Sequence, residues 1–257
     1  MANPAKVRID VLLVERGLVP SRERARALIL AGRILVSEQK VDKPGATVPL
    51  GAPVRMLGED MPYVSRGGLK LAAALDHWKI EVSGRACLDV GASTGGFTDC
   101  LLQHGAAHVT AVDTGFGQIA MKLRNDSRVR LVERTNARFL APGALAEPGA
   151  PALTLLVMDV SFISATLLLG PVFAAAPALT EAVILVKPQF EAGRGNVGKG
   201  GIVRDPETHK LVVEKVAECV TSLGWQVIET IPSPITGAEG NKEFLLYARY
   251  RPPIPGL

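Results

Sequence analysis

A doubly wound α/β sheet, preceded by a small α+β module, is the architecture this sequence predicts, on three observations. From Cys87 onward, short apolar runs rich in β-branched residues alternate with segments of helical period. The first of these runs passes into a glycine-rich turn and then a helix, CLDVGASTGGFTDCLL. Residues 1–58 read differently, as two short helices followed by strands, and hold ten Lys/Arg against five Asp/Glu. That is a net of +5, whereas the rest of the chain holds 19 against 20, a net of −1. Positive charge gathered in one quarter of the chain is what is expected if that quarter meets a polyanion.

Composition narrows the function classes. Of 257 residues, 47% are hydrophobic and 21% charged, as in a globular protein. The three cysteines (Cys87, Cys100, Cys219) form no CxxC pair, which excludes a disulfide framework and a cysteine-rich metal site and points to the reducing cytoplasm. No signal peptide is expected at the N-terminus. Val160 to Thr180 carries no charge, but Pro171 and Pro177 interrupt it, so a buried helix beside a strand is expected rather than a membrane span.

In chain order, Asp10 is expected to cap a helix over VLLVERG that Gly17 ends, and Ser21 a second over RERARALILA that Gly32 ends. Ala25, Leu28 and Ile29 share one face of the second helix; Arg22 and Arg26 lie on another, with Arg33 just beyond. RILVSEQKV reads as a β-like stretch, and APVRML as a final strand after the turn Lys43-Pro-Gly. Taken alone, the arginines fit a solvated helix face as well as an RNA surface. The stretch RIDVLLVERGLVPSRERARALILAGRILVSEQKVDKPGATV, however, resembles the alpha-L RNA-binding motif. That resemblance implies that Arg8, Arg22, Arg26 and Arg33 face structured RNA. The expected division is an RNA-binding domain over 1–58, a linker over 59–65 and a larger domain over 66–257.

In the larger domain a helix starts near the glycines of RGGLKLAAAL. Seven strands follow: ACLDVGA, HVTAVDTG, VRLVER, LTLLVMDVS, AVILVKPQF, GWQVIETI and KEFLLYARY. They predict a Rossmann-like sheet, mostly parallel with a late antiparallel edge. Asp89 ends the first strand, and Gly91, Ser93, Gly95 and Gly96 form a turn whose small residues let backbone N–H groups approach a ligand. Asp113 closes the second strand, 24 residues after Asp89, where a carboxylate accepts from both ribose hydroxyls of a nucleoside cofactor. A dehydrogenase would use the same geometry, but the spacing is not GxGxxG. D-x-G-x-S-x-G-G with a later acidic residue resembles motif I of methyltransferases that use S-adenosylmethionine, and Asn136 stands where such enzymes contact adenine. Gly193 to Gly200 matches GxxxxGK but has Gly where a phosphate-binding loop needs Ser or Thr; a mobile active-site loop is expected there.

Four charged residues flank the apolar strands: Lys70, Asp159, Lys187 and Glu243. Singly, each fits a surface charge. Together they resemble the K-D-K-E tetrad of FtsJ-like RNA 2′-O-methyltransferases, with Glu239 as an alternative to Glu243. With the N-terminal motif, the motifs SRGGLKL, LDVGASTGGFTDCLL, MDVSFIS, ILVKPQFE, GKGGIVRD and GNKEFLLY resemble the TlyA family, also named hemolysin A. The resemblance implies 2′-O-methylation of a cytidine in ribosomal RNA or ribosomal subunits, S-adenosylmethionine as cofactor and no metal. For that chemistry Lys187 is expected to orient and deprotonate the hydroxyl, with Asp159 and Glu243 steering it and Lys70 steadying the oxygen or the substrate; which lysine is the base stays open. The competing functions are a non-catalytic RNA-binding protein, a base methylase and a membrane-active hemolysin. Base methylases of this fold carry Asn/Asp-Pro-Pro-Tyr/Phe where Asp159-Val-Ser-Phe stands here.

Overall fold

The computed structural model describes residues 5–57, 61–146 and 149–250, apart from 194, 196, 199, 238 and 239. Two compact units divide the chain between Asp60 and Met61.

The smaller unit holds β1 (Lys6–Arg8), α1 (Ile9–Glu15), α2 (Arg22–Leu30), β2 (Ile34–Val36), β3 (Gln39–Val41), β4 (Thr47–Pro49) and β5 (Val54–Met56). Ser21 caps α2 as expected, its Oγ accepting the Arg24 N–H at 3.2 Å, and Gly17 and Gly32 take the positive φ that ends each helix. Ala25, Leu28 and Ile29 are buried with Ile9, Leu12 and Leu13 in the unit's core. One local expectation fails. Asp10 does not cap α1: it lies in the first turn, fully buried, as an acceptor for arginines. The β-like stretch RILVSEQKV is the hairpin β2–β3, turned by Ser37 and Glu38, both at positive φ. β1 and β4, too short to stand out in the sequence, pair antiparallel.

The larger unit is built on α3 (Gly67–Trp78), β6 (Ala86–Val90), α4 (Gly96–Gln103), β7 (His108–Val112), α5 (Met121–Arg124), β8 (Val129–Val132), β9 (Leu153–Met158), α6 (Thr166–Ala175), β10 (Glu181–Val186), α7 (Pro188–Glu191), α8 (Pro206–Ser222), β11 (Trp225–Pro232) and β12 (Phe244–Tyr250). Its seven strands lie in the order β11-β12-β10-β9-β6-β7-β8, with apolar clusters on both faces. β6 to β10 are parallel. The expected late antiparallel edge is present and is built by insertion: β12 pairs antiparallel with both β10 and β11, leaving β11 outermost. β12 is apolar enough to be buried on both faces, whereas β11 is mostly half-exposed. The order reverses between β9 and β6, and ligands bind outside the carboxyl ends of strands at such a switch.

The uncharged stretch after Val160 is the ten-residue α6, which accommodates Pro171 inside it. Among the described residues no helix is long and apolar enough to cross a membrane. The expected linker is also shorter than 59–65. Val64 donates its N–H to Asp99 at 2.8 Å, and Gln103 donates to the Pro62 carbonyl at 2.9 Å, so residues 61–65 are fastened to α4. Glu59 and Asp60 lie outside the described residues.

Candidate active site

The turn between β6 and α4 sits at the switch. Packing alone already requires glycine there. A Cβ on Gly91 would collide with the Asp159 carbonyl, and one on Gly95, at φ +95°, with Leu123. One on Gly96 would strike Ser65. Three of the four turn residues have their backbone N–H groups engaged inside the chain. Gly91 donates to Val112 O at 2.9 Å, Ser93 to Asp113 Oδ2 at 2.8 Å and Gly95 to Ala92 O at 2.7 Å. A phosphate would need these donors free.

Asp89 differs most from expectation. It lies beneath the turn, fully buried, and one carboxylate oxygen accepts from Thr98 Oγ1 at 2.6 Å while the other has no protein partner. Burial pushes its pKa up to about 7; the Thr98 hydrogen bond opposes the rise and the Asp159 and Asp113 charges add to it. It lines neither of the two cavities described next.

A cavity of about 630 Å³ opens beside the turn, lined by Gly91, Ser93, Asp113, Gln118, Asn136 and Asp159 among others. Asp113 Oδ1 accepts the Gly115 N–H at 2.6 Å, so both its oxygens are fixed by backbone and each keeps a further lone pair. Asn136 caps a short turn of helix, Ala137–Phe139, by accepting from the Arg138 N–H at 3.0 Å. A second cavity, of about 370 Å³, is lined by Arg66, Lys70, Ser93, Asp159, Ser161 and Lys187 among others. The two share Gly91, Ser93, Asp159 and Ser161, so they meet at the carboxyl end of β9.

The four tetrad residues form two separate pairs. Lys187 Nζ stands 2.6 Å from Asp159 Oδ1 and donates to Ser161 Oγ at 2.8 Å. Lys70 Nζ donates to Glu243 Oε2 at 2.5 Å, both side chains buried. Glu243 therefore serves Lys70, not the Lys187 it was expected to steer. Gly237 covers the Glu243 carboxylate so closely that a Cβ there would overlap it. Glu239 and Lys199, the latter in the glycine-rich loop, lie outside the described residues. The sequence reading missed Ser161; its signal was its place two residues after Asp159 in MDVSF.

In the smaller unit the arginines do not act alike. Arg8 donates twice to Asp10, both at 2.9 Å, and Arg22 once at 2.9 Å. The Arg8 hydrogen bond, with Arg22 beside it, holds the Asp10 carboxyl well below the usual range. Arg33 Nε donates to the Leu57 carbonyl at 2.8 Å. Arg26 is exposed. Two of the four predicted RNA contacts thus spend part of their hydrogen bonding on a buried carboxylate.

The family model described as FtsJ-like methyltransferase matches residues 63–250, and that of the S4 domain matches 7–54. The class is therefore an FtsJ-like methyltransferase joined to an S4 domain. The 16S/23S rRNA (cytidine-2′-O)-methyltransferase TlyA of Mycobacterium tuberculosis is 44% identical over 95% of this chain and 90% of its own. Hemolysin A of Brachyspira hyodysenteriae is 39% identical over 94% of this chain and 99% of its own. The solved structure of a hemolysin-named protein from Streptococcus thermophilus superposes with a TM-score of 0.71 at 42% identity, covering 97% of this chain and 90% of that one. The chain belongs to the TlyA family.

Proposed function

We propose that the protein transfers a methyl group from S-adenosylmethionine to the ribose 2′-hydroxyl of a cytidine in ribosomal RNA. The observation that carries this is the junction of the two cavities at Asp159 and Ser161, with Lys187 held against both. The larger cavity suits the cofactor in size and chemistry. The Asp113 carboxylate would receive ribose hydroxyls, Asn136 and Gln118 would meet the base, and a turn with engaged N–H groups favours an ammonium end over a phosphate. The cofactor supplies an electrophilic methyl on sulfonium.

The chain's residues then have only to place and deprotonate the attacking oxygen. Lys187 donates to Ser161 and forms an ion pair with Asp159, and because it lines the smaller cavity it keeps donor capacity for the hydroxyl there. Lys187 would take the hydroxyl proton as the oxygen–methyl bond forms and the methyl–sulfur bond breaks, its electron pair leaving with the sulfur. Lys70, held by Glu243, lines the same cavity and steadies the developing oxygen charge. A cytoplasmic setting follows from a ribosomal substrate. The hemolysin name of some relatives has no counterpart in a membrane-spanning helix among the described residues.

The test is Lys187→Ala. It should bind the cofactor with unchanged affinity and lose methyl transfer by at least about 100-fold. Near-normal transfer would remove Lys187 from its role.

A further inference from the structure

Resting on the proposed function, we infer that Glu191 is a positioning residue that holds the Asp159 loop and the Lys187 loop in register. β9 and β10 pair in parallel from Leu155↔Glu181 to Met158↔Ile184. The ladder therefore stops one residue before Asp159 and three before Lys187. What sets the spacing of those two side chains is the structure beyond the ladder.

Glu191 spans that gap. It ends α7, four residues after Lys187, and its side chain is only 2% exposed. Oε1 accepts the Ala165 N–H at 2.7 Å, and Oε2 accepts from Ser164 Oγ at 2.5 Å. Ser164 and Ala165 close the loop that begins at Asp159 and carries Ser161, just before α6. A third element braces the clamp: Lys215 on α8 donates to the Glu191 carbonyl at 3.0 Å and stands 3.7 Å from Oε2. Glu191 lines neither the cofactor cavity nor the smaller one. A buried carboxylate is costly unless its hydrogen bonds are made, and these two are made to the opposite loop. Without them the loops are joined by the Phe162–Phe190 ring contact, centroids 5.2 Å apart, and by Lys187's own contacts, which the reaction must disturb.

Glu191→Ala, Glu191→Gln and Ser164→Ala test this against wild type in methyl transfer to ribosomal subunits. Glu191→Ala should lower kcat by about 10–100-fold while the cofactor KM stays within about threefold, because misplacement acts on the chemical step. Its pH–rate profile should also shift, since the surroundings of Lys187 move. Glu191→Gln keeps one acceptor and can donate to Ser164, so it should restore kcat to within about threefold. Ser164→Ala removes one arm and should fall between; it decides the matter if Glu191→Ala does not fold. Folded Glu191→Ala or Ser164→Ala enzyme with wild-type kcat and profile would overturn the clamp. Wild type that transfers no methyl to ribose would instead sink the underlying function, and the clamp with it.

Discussion

Asp89 and Asp10 are both fully buried carboxylates, and they couple to pH with opposite signs. Asp89 has a folded pKa raised to about 7, so its contribution to stability is fully present below about 4 and is lost as pH rises through 7. Asp89→Asn should therefore gain on wild type, in denaturant midpoint, as pH rises from about 4 to 7; parallel profiles would contradict this. Asp10 is held low, so its contribution is present above about 4 and is lost as pH falls through its folded value. Asp10→Asn should weaken the smaller unit at neutral pH, and the deficit should shrink on acidification. At the Lys70–Glu243 pair, Lys70→Ala leaves a buried carboxylate alone and should cost about 3–5 kcal/mol in unfolding free energy. The residue types of the candidate site were legible in the sequence, but their pairing was not. Which lysine meets which carboxylate depends on β12 lying beside β10, and no local pattern encodes that.

The elements were largely legible because their signals are local. The seven strands of the large sheet and the glycine stops of α1 and α2 follow from apolar runs and from positive φ. What escaped had weak or misleading signals. Ser37 and Glu38 turn a hairpin without glycine, and the three-residue strands β1 and β4 acquire meaning only by pairing. At the Asp89 turn no sequence signal marked a second reason for the glycines: they also allow neighbouring elements to close in. Gly91→Ala should accordingly destabilise the fold and disturb Asp159, measurable as a lower Tm together with weakened cofactor binding. Lys79 ends α3 in the left-handed region, so Lys79→Gly should raise Tm by roughly 1–3 °C. A fall would mean that its exposed pairing with Asp76 matters more.

At the scale of the whole molecule, charge and motif order separated a basic module from a larger domain, and the family matches cover the same two stretches. If the smaller unit supplies the RNA affinity, deleting residues 1–58 should leave cofactor binding intact and weaken RNA binding. The affinity of the full chain should fall with salt as counterions are released. Loss of cofactor binding on that deletion would show that the units do not act separately.

Ribose methylation is tested most directly by transfer of labelled methyl from S-adenosylmethionine to ribosomal subunits lacking the modification, followed by alkaline hydrolysis of the RNA. A 2′-O-methyl group blocks cleavage of the neighbouring phosphodiester. Label in alkali-resistant dinucleotides with cytidine at the modified position is the predicted result. Label recovered only in mononucleotides would mean that a base is methylated instead.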